Sequence, residues 1–361
     1  MKRFSKVTAL FLCCLFTLFS FSCKEEQYSS RDLFYFNTNV HIQTVDSIIS
    51  DDTIKKLEGL FSYIEKEFSI SYETSIISRF NQAKSGDTFT LSDTALEVFS
   101  LTKEAYDFSK GKFDPTVLPL VKLWNFYPDY PVFDFAVPTK ESIEEILSSG
   151  AVNFSSVTFN KDAKTLTKTN DLTEIDLGGI LKGYALDKAA EILRADGHTK
   201  GYLSIGSSSL YVLGSNTLGV KHPRGNADLP LILSVDLKNQ NNLSVSTSGD
   251  YEKFYTVDNQ RFSHIINPKT GYPSDTKIVS ATVIGENGGM LDALSTALFL
   301  CSFDEENKSG ELIDTMREIE KKYPSIKIFV AYRGEKQYII TNQEQNKDFF
   351  LVDESYRLVN I

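Results

Sequence analysis

The sequence is poor in cysteine, histidine and tryptophan, and it has no excess of basic residues. Its 361 residues include four Cys, four His and one Trp, and 38 Lys and Arg stand against 48 Asp and Glu. The net charge of −10 argues against a nucleic-acid partner, which requires a basic surface to neutralise phosphates. The histidines are not grouped with Cys or acidic residues at metal-ligand spacings, which disfavours a His/Cys zinc site.

The N-terminus has the pattern of an export signal. Three basic residues lie among the first six, and the apolar run from Val7 to Phe21 follows. This run of about 15 residues is too short to cross a bilayer comfortably. It leads into Ser22-Cys23, which is typical of a lipoprotein processing site with Cys23 as the lipidated first residue. An ordinary cleaved signal and a short membrane anchor are the alternatives.

Removal of residues 1–22 would change both the charge and the cysteine content. These residues carry three basic side chains and no acidic one, so the net charge would become −13. Cys13 and Cys14 would leave with the signal and Cys23 would be capped by lipid, so no intramolecular disulfide is expected. The remaining Cys301 lies in an apolar run, which predicts a buried side chain rather than a nucleophile.

The rest of the chain reads as one compact α+β unit with an insertion. We expect a lipidated tether over residues 23–32, a domain over 33–345 and a C-terminal extension over 346–361. Apolar periodicity and capping residues predict the following helices: Thr53–Phe68, Leu91–Phe108, Glu141–Leu147, one from Gly178 to near Gly197, one from Gly288 through Leu300, and Glu311–Lys322. Alternation and β-branched residues predict the following strands: Leu172–Leu177, Gly201–Ile205, Tyr211–Leu213, Leu231–Val235, Leu243–Thr247, Ile278–Ile284, Lys327–Tyr332 and Tyr338–Thr341.

The segment Glu174–Tyr184 could bind a phosphate. Its glycines would let the backbone approach a ligand, and the N–H groups at a helix N-terminus attract anions. Lys182, one turn into the helix, could reach a phosphate or a base. The spacing is not the dinucleotide fingerprint G-x-G-x-x-G, so a Rossmann site is disfavoured. A plain strand–turn–helix connection is equally compatible with the pattern.

The segment Gly288–Leu298 could bind a cation. Asp292 and Thr296 are four residues apart and therefore share one helix face in apolar surroundings. A buried carboxylate needs a partner, and a hard cation such as Mg²⁺ prefers such oxygen ligands. The alternative is an Asp that interacts with the helix dipole and a Thr that bonds back to its own helix.

Two further residues could contribute chemistry. His264 lies beside a turn after the segment Ser246–Tyr251, and it could act as an acid or base. A structural histidine bonded to the backbone is the alternative. Trp124, after Gly111–Val117, could form the wall of a site for a planar ligand or pack in the core.

Taken in order along the chain, these motifs resemble the ApbE family of FAD:protein FMN transferases over roughly residues 33–332. Each motif alone is modest evidence, but six in one order are highly specific. The matching motifs are Ile77-Ser-Arg-Phe-Asn81, Phe113-Asp-Pro-Thr-Val117, Leu123-Trp124, Ile175-Asp-Leu-Gly-Gly-Ile-Leu-Lys-Gly-Tyr-Ala185, His264-Ile-Ile-Asn-Pro-Lys-Thr-Gly-Tyr272 and Asp292-Ala-Leu-Ser-Thr-Ala297.

The resemblance implies a T-fold-related α+β domain with mixed or antiparallel sheets and packed helices. It implies Mg²⁺-dependent cleavage of FAD, transfer of FMN through a phosphoester to a Thr or Ser of a target protein, and release of AMP. The usual targets are subunits of membrane electron-transfer or Na⁺-pumping complexes. The enzyme would be lipid-anchored at the cell membrane and would face the periplasm or the cell exterior. Two alternatives remain, a pyrophosphatase that converts FAD to FMN and AMP, and a flavin-binding lipoprotein without turnover.

The resemblance also implies roles for individual residues. His264 would be the general base, and Mg²⁺ would be held by the backbone carbonyl of Gly179 and by Asp292 and Thr296. Contacts to FAD would come from the following residues: Phe36, Tyr72, Lys112, Phe113, Asp114, Asp176, Lys182 and Ile266. Phe36 stands where many relatives have Met in an early strand. The sequence departs from the family at Gly206-Ser-Ser-Ser209, where relatives usually have Gly-Gly followed by Asp or Asn.

Overall fold

The computed structural model describes residues 28–128, 130–237 and 240–361. The predicted signal and the predicted lipid attachment at Cys23 lie outside the described residues. Within those three ranges, every helix is too short or too polar to span a bilayer.

The described residues form helices and strands in an α+β arrangement, which confirms the predicted fold class. The helices are α1 Asp51–Phe68, α2 Ile76–Gln82, α3 Asp93–Phe108, α4 Leu118–Leu123, α5 Lys140–Ser148, α6 Gly178–Ala195, α7 Gly288–Phe299 and α8 Glu311–Lys322, with 3₁₀ turns at Pro115–Val117 and Phe154–Ser156. The strands are β1 Ser29–Tyr35, β2 Thr38–Thr44, β3 Thr88–Thr90, β4 Val157–Asn160, β5 Thr165–Lys168, β6 Gly201–Ile205, β7 Ser209–Leu213, β8 Thr217–Lys221, β9 Leu231–Asp236, β10 Leu243–Gly249, β11 Phe254–Val257, β12 Gln260–Ser263, β13 Ile278–Gly285, β14 Lys327–Arg333, β15 Gln337–Thr341, β16 Phe349–Leu351 and β17 Arg357–Asn360.

A nine-stranded sheet organises the molecule, in the order β1-β2-β6-β7-β10-β13-β14-β15-β17. Its neighbouring strands are antiparallel except for β15 and β17, which are parallel. Helices α6 and α7 pack against each other, and α7 also packs on β10 and β13. This helix pair is central to the core and carries Lys182 and the three residues predicted to hold a metal ion, Gly179, Asp292 and Thr296.

The domain extends beyond both boundaries that the sequence suggested. β1 begins at Ser29, inside the predicted tether of residues 23–32, because its backbone pairs with β2 along its whole length. β17 lies inside the predicted C-terminal extension and pairs with β15 from Arg357 to Asn360. The residues at both ends of the described chain therefore belong to the main sheet.

The predicted helix boundaries agree with the structure to within about two residues, the usual uncertainty at helix ends. The predicted strand Leu172–Leu177 is wrong, because this segment has no strand partner. Its backbone is satisfied by side chains instead. Asn81 accepts a hydrogen bond from the Ile175 N–H at 2.7 Å and donates one to the Ile175 carbonyl at 3.0 Å. An amide side chain thus replaces the neighbouring strand.

The crossing of α6 and α7 depends on glycine. A Cβ atom at Gly183 would lie 2.1 Å from the carbonyl oxygen of Gly288 and 2.8 Å from the nitrogen of Gly289. Both of those atoms belong to the backbone, so the clash cannot be relieved by rotating a side chain. The absence of a side chain at residue 183 therefore allows the two helix backbones to touch.

Gly183→Ala is expected to lower the free energy of unfolding by about 1–3 kcal/mol, because the helices must separate to admit the methyl group. The matched control is Gly59→Ala on the exposed face of α1, where a Cβ would meet nothing within 4 Å. That change should raise the free energy of unfolding by about 0.4–1 kcal/mol through loss of unfolded-state entropy. Urea unfolding of both variants measures the difference. Equal stability of Gly183→Ala and the parent chain would contradict the steric argument.

Candidate active site

The first turn of α6 forms one wall of the site. The N-cap residue Leu177 supplies no side-chain cap. The Gly178 N–H donates to Asp176, and the Ile180 and Leu181 N–H groups donate to the Leu177 carbonyl, which leaves the Gly179 N–H for a ligand. A Cβ at Gly179 would lie 3.0 Å from Cε2 of Phe113, so the aromatic ring packs directly on this turn. The Asp176 N–H donates to the Pro115 carbonyl at 2.8 Å, which holds the Phe113 segment beside the helix start.

Asp176 is a half-buried carboxylate at the entrance to α6. Its Oδ1 accepts a hydrogen bond from the Gly178 N–H at 2.7 Å. Burial raises the pKa of the Asp176 carboxyl, and the Gly178 bond and the charges of Lys253 and Lys182 oppose that rise. The carboxylate therefore lies within the electrostatic range of both lysines.

Lys182 projects from α6 toward the turn between β6 and β7. Its Nζ donates to Oγ of Ser208 at 2.5 Å. Ser208 is one of the positions where the sequence departs from the family pattern, and it meets the lysine with a hydroxyl instead of a carboxylate. Its neighbour Ser207 instead donates to a carboxylate oxygen of Glu252 at 2.6 Å.

Asp292 is buried in α7, and both of its carboxylate oxygens accept hydrogen bonds. Oδ2 accepts from the Gly183 N–H at 2.7 Å, and Oδ1 accepts from the Ser209 hydroxyl at 3.0 Å. Burial raises the pKa of the Asp292 carboxyl, against the influence of Lys182 and of hydrogen bonds from Ser246 and the two donors above. The carboxylate is thus a buried acceptor whose negative charge is only partly offset.

The Asp292 carboxylate contacts α6 one turn after Gly179. The Gly183 N–H donates to its Oδ2 at 2.7 Å. Residues four apart share one side of a helix, so this carboxylate lies against the side of α6 that also contains Gly179.

Thr296 lies one turn after Asp292 on α7. Its hydroxyl donates to the Asp292 backbone carbonyl at 3.1 Å, which is the bond to its own helix that the sequence left as an alternative. Ser248 Oγ lies 3.3 Å from the same hydroxyl oxygen and 2.8 Å from Ser295 Oγ. Since the Thr296 proton points into the helix, its lone pairs remain for Ser248 and for one further partner.

These donors are the types that a hard cation binds. A carboxylate, a hydroxyl and a backbone carbonyl suit Mg²⁺ better than a transition metal. Over the ranges that the structure covers, no group of three or more His, Cys, Asp or Glu side chains could hold a metal ion. Any metal at this site would therefore depend on the single carboxylate of Asp292 together with neutral oxygen atoms.

His264 follows β12 and is half-buried. Its Nδ1 lies 3.2 Å from the Lys253 carbonyl oxygen, which can only accept, so Nδ1 carries the proton. Burial, and secondly the charge of Lys253, lower the pKa of the His264 imidazole to about 4. The ring is therefore neutral near pH 7, and Nε2 bonds to nothing in residues 28–128, 130–237 and 240–361. Both sequence hypotheses are compatible with this geometry, because one nitrogen is bound to the backbone and the other can accept a proton.

The segment from Lys112 to Asp114 is near α6, but its polar atoms have local partners. The Lys112 ammonium pairs with Glu311 at 2.7 Å. Asp114 caps the following 3₁₀ turn by accepting from the Thr116 N–H at 2.8 Å and from the Thr116 hydroxyl at 2.6 Å. Burial raises the pKa of the Asp114 carboxyl. Phe113 contacts Gly179 directly, whereas Lys112 would have to leave Glu311 to reach a ligand.

Phe36 and Tyr72 make no hydrogen bond to the residues of α6 and α7 described above. Phe36 occupies the turn between β1 and β2 with φ 55°, so its expected place in an early strand is wrong. Its N–H donates to Glu65 at 2.8 Å, and this carboxylate bond holds the turn. Tyr72 is 42% exposed, and the turn containing Phe36 is close to the Gly206 turn, whose N–H donates to Asn39.

Ile266 and Trp124 belong to a small separate core. Trp124 is fully buried between Phe135 and Phe262, and its indole N–H donates to the Gly271 carbonyl at 2.8 Å. Its role is therefore core packing. Ile266 is 5% exposed in the same cluster. Cys301 is also buried, as predicted, and burial raises the pKa of its thiol to about 11.

Sequence reasoning assigned no role to Ser209, Ser246, Ser248 or Lys253, although all four touch the site. Ser246 and Ser248 could have been found, because alternate residues of a strand point to the same face. Ser209 lies at the end of the Gly206–Ser209 segment that departs from the family pattern, but its contact with Asp292 across 83 positions has no local signal. Lys253 has no signal of its own, since its backbone carbonyl makes the contact with His264.

The chain is similar in sequence to proteins of a known family. Residues 36–319 match the model of the ApbE family. The chain is 28% identical to the FAD:protein FMN transferase of Haemophilus influenzae over 285 residues, 76% of this chain and 81% of that protein. It is 30% identical to the Vibrio cholerae protein of the same name over 251 residues, 68% of this chain and 72% of the other.

The fold is similar to those of solved structures. The crystal structure of the ApbE protein from Thermotoga maritima matches with a TM-score of 0.72 and 28% identity, and it covers 85% of this chain and 94% of that one. The flavin transferase ApbE from Vibrio cholerae matches with a TM-score of 0.70, covering 87% and 97%; at 24% identity this supports the fold.

Proposed function

This chain belongs to the ApbE family, and we propose that it is a FAD:protein FMN transferase that attaches FMN to a Thr or Ser of a target protein and releases AMP. The observation that carries the proposal is the hydrogen-bonded cluster along the start of α6: Asp176 accepts from the Gly178 N–H, Lys182 donates to Ser208, and Asp292 accepts from the Gly183 N–H and from Ser209. The names of the curated relatives support the same reaction.

The start of α6 would bind the pyrophosphate of FAD. A helix N-terminus attracts phosphate, the Gly179 N–H is left to donate to it, and Lys182 adds a positive charge one turn later. Because the protein is strongly acidic, such local positive groups are needed to hold an anion against the general field. Phe113, which packs on Gly179, offers an apolar surface next to the phosphates.

Mg²⁺ would be held by the carboxylate of Asp292, the hydroxyl of Thr296 and the carbonyl of Gly179. The raised pKa of the Asp292 carboxyl supports this set, because a cation would offset the cost of burying the charge. When bound, the ion would neutralise pyrophosphate charge and make AMP a better leaving group. Ser209 and the Gly183 N–H fix the carboxylate through its two hydrogen bonds.

His264 would act as the general base. The hydroxyl oxygen of the acceptor residue forms a bond to the phosphorus of the FMN half, and the bond from that phosphorus to the AMP oxygen breaks. The hydroxyl proton passes to Nε2 of His264, which is unprotonated because Nδ1 carries the proton toward the Lys253 carbonyl. A hydroxyl is a poor nucleophile unaided, so loss of this base should slow the transfer strongly.

The transferase is expected to give a fluorescent recipient band that survives denaturing electrophoresis when FAD, Mg²⁺ and a recipient protein are present. A recipient that the Vibrio cholerae transferase labels serves as the probe, and that enzyme is the positive control. FMN and AMP without a labelled band would indicate a pyrophosphatase instead. FAD retained unchanged after hours with Mg²⁺ would indicate a flavin-binding lipoprotein without turnover.

We also propose that Cys23 carries lipid and that the protein is anchored at the cell membrane, facing the periplasm or the cell exterior. There it would act on a subunit of a membrane electron-transfer or Na⁺-pumping complex. The basic and apolar N-terminal pattern and the polar residues after Cys23 support the anchor. Mass spectrometry of the N-terminal peptide from membranes tests it, with Cys23→Ala as the variant that should become soluble.

A further inference from the structure

The first described residues fix one end of the molecule. The Ile49 N–H donates to Oγ of Ser29 at 3.2 Å, and the β2 residue opposite Ser29 is Thr44. Thr44 in turn lies opposite Gly201 of β6. The start of β1, the end of β2 and the start of β6 therefore form one edge of the molecule, which we call the anchor end and define as residues 28–29, 44–53 and 196–201.

Side-chain contacts hold the anchor end together. Asp46 accepts from the Thr199 N–H at 2.6 Å and from the Lys200 N–H at 3.1 Å. The Thr53 hydroxyl donates to Asp196 at 2.9 Å, which joins the first turn of α1 to the end of α6. These bonds connect two separate loops, residues 45–50 and 196–200, and the first turn of α1, so the anchor end is a fixed surface.

The candidate active site is at the opposite end. Helix α6 begins at Gly178 in the site and finishes at Ala195 beside the anchor end, and its 18 residues span about 27 Å. The strands β1 and β6 also run from the anchor end to the site. Tyr35, at the far end of β1 from Ser29, precedes the turn that contains Phe36. Ile205, at the far end of β6, precedes the turn that contains Ser208.

The chain before the anchor end is short. Four residues, 24–27, separate Cys23 from Tyr28, so a lipid on Cys23 would hold the anchor end within about 18 Å of the bilayer surface. This reach is shorter than the distance from the anchor end to the site. Tyr28 and Ile48, both at the anchor end, are 67% and 63% exposed. Exposed aromatic and aliphatic side chains are suited to the interface of a bilayer.

We propose that the anchor end rests on the lipid surface and that the active site faces away from it, at least about 27 Å from the anchor end. This inference rests on the lipid attachment at Cys23 proposed above, and it is independent of the flavin chemistry. An acceptor Thr or Ser must therefore be presented on a part of its protein that stands clear of the membrane.

Two labels on one helix test the orientation. Asp52→Cys lies in the first turn of α1 at the anchor end, and Lys66→Cys lies in the last turn near the site, about 21 Å further along the axis. Lipidated protein purified from membranes is labelled with a fluorophore and placed in phosphatidylethanolamine and phosphatidylglycerol vesicles that contain a rhodamine headgroup. Lipid blocks the thiol of Cys23 and burial protects Cys301, so only the introduced thiol reacts.

Energy transfer to the rhodamine lipid should be at least about twofold greater from position 52 than from position 66, given their separation along the helix. Equal transfer would mean that the protein lies on its side, and the reverse order would mean that the site faces the bilayer; either result overturns the proposed orientation. An unlipidated Cys23 in the mass spectrum would overturn the anchor and the orientation together, while a labelled recipient band would still support the transferase.

Discussion

Asp292→Asn is expected to reduce FMN transfer by about 10²–10³-fold while leaving the protein folded. The asparagine side chain keeps a carbonyl oxygen that can accept from the Gly183 N–H, but it carries no charge for a cation. Because burial raises the pKa of the Asp292 carboxyl, removing that charge should not weaken the fold. Transfer rates at increasing Mg²⁺, with Mg²⁺ affinity from calorimetry, measure the loss.

The matched control is Asp187→Asn on α6. Asp187 is a half-buried carboxylate, and burial raises its pKa to about 6, but it bonds to Ser244 and to the Gly288 N–H. That substitution should keep transfer within about tenfold of the parent rate, because it alters support of α7 without removing a ligand. Normal Mg²⁺ affinity and normal transfer in Asp292→Asn would refute the metal assignment.

His264→Gln should reduce transfer by about 10²–10⁴-fold, which is the usual contribution of a general base. Glutamine can still donate to the Lys253 carbonyl, but it has no nitrogen that accepts a proton near neutral pH. Binding of FAD should change much less, because the imidazole acts on the acceptor hydroxyl and not on the flavin. His41→Gln, on β2 and bonded to Asp32, is the control and should leave transfer unchanged.

The pH profile separates a base from a structural histidine. Protonated His264 cannot accept a proton, so transfer is lost as the pH falls through its pKa. Since burial and Lys253 lower that pKa to about 4, the acid limb of kcat/KM should lie near pH 4 in place of the ordinary 6.5. Lys253→Ala removes one cause and should move the limb to higher pH. An acid limb in the parent chain near pH 6.5 would contradict the lowered pKa of His264.

The sequence predicted the elements whose signals are local. The helix predicted over Leu91–Phe108 begins at Asp93, where Ser92 caps it by accepting from the Ala95 N–H at 3.0 Å, and α8 runs from Glu311 to Lys322 as its periodicity indicates. The helix that follows Gly178-Gly179 was predictable for the same reason. The sequence alone did not decide whether this segment forms one wall of a site or is a plain connection to a helix. The neighbouring residues in the fold favour the site.

What the sequence could not predict depends on distant contacts. Asn81 satisfies the backbone of Ile175 across 94 positions, and this bond makes a predicted strand into an irregular segment. The hydrogen bond from Ser209 to Asp292 and the pairing of Lys112 with Glu311 are of the same kind. The spacing of Asp292 and Thr296 predicted a shared helix face, but not the hydrogen bond that joins Asp292 to the Gly183 N–H of α6.

The outermost strands of the nine-stranded sheet come from the two ends of the described chain, β1 on one side and β17 on the other. The sheet can therefore be completed only after the last residues, near Asn360, have been synthesised. Until β17 pairs, the buried residues Ile339 and Ile340 of β15 stand on an open edge that another chain could extend. Truncation before residue 357 should thus produce aggregation. The same exposed edge is present in a chain that is still being synthesised and in one that has lost β17 to proteolysis.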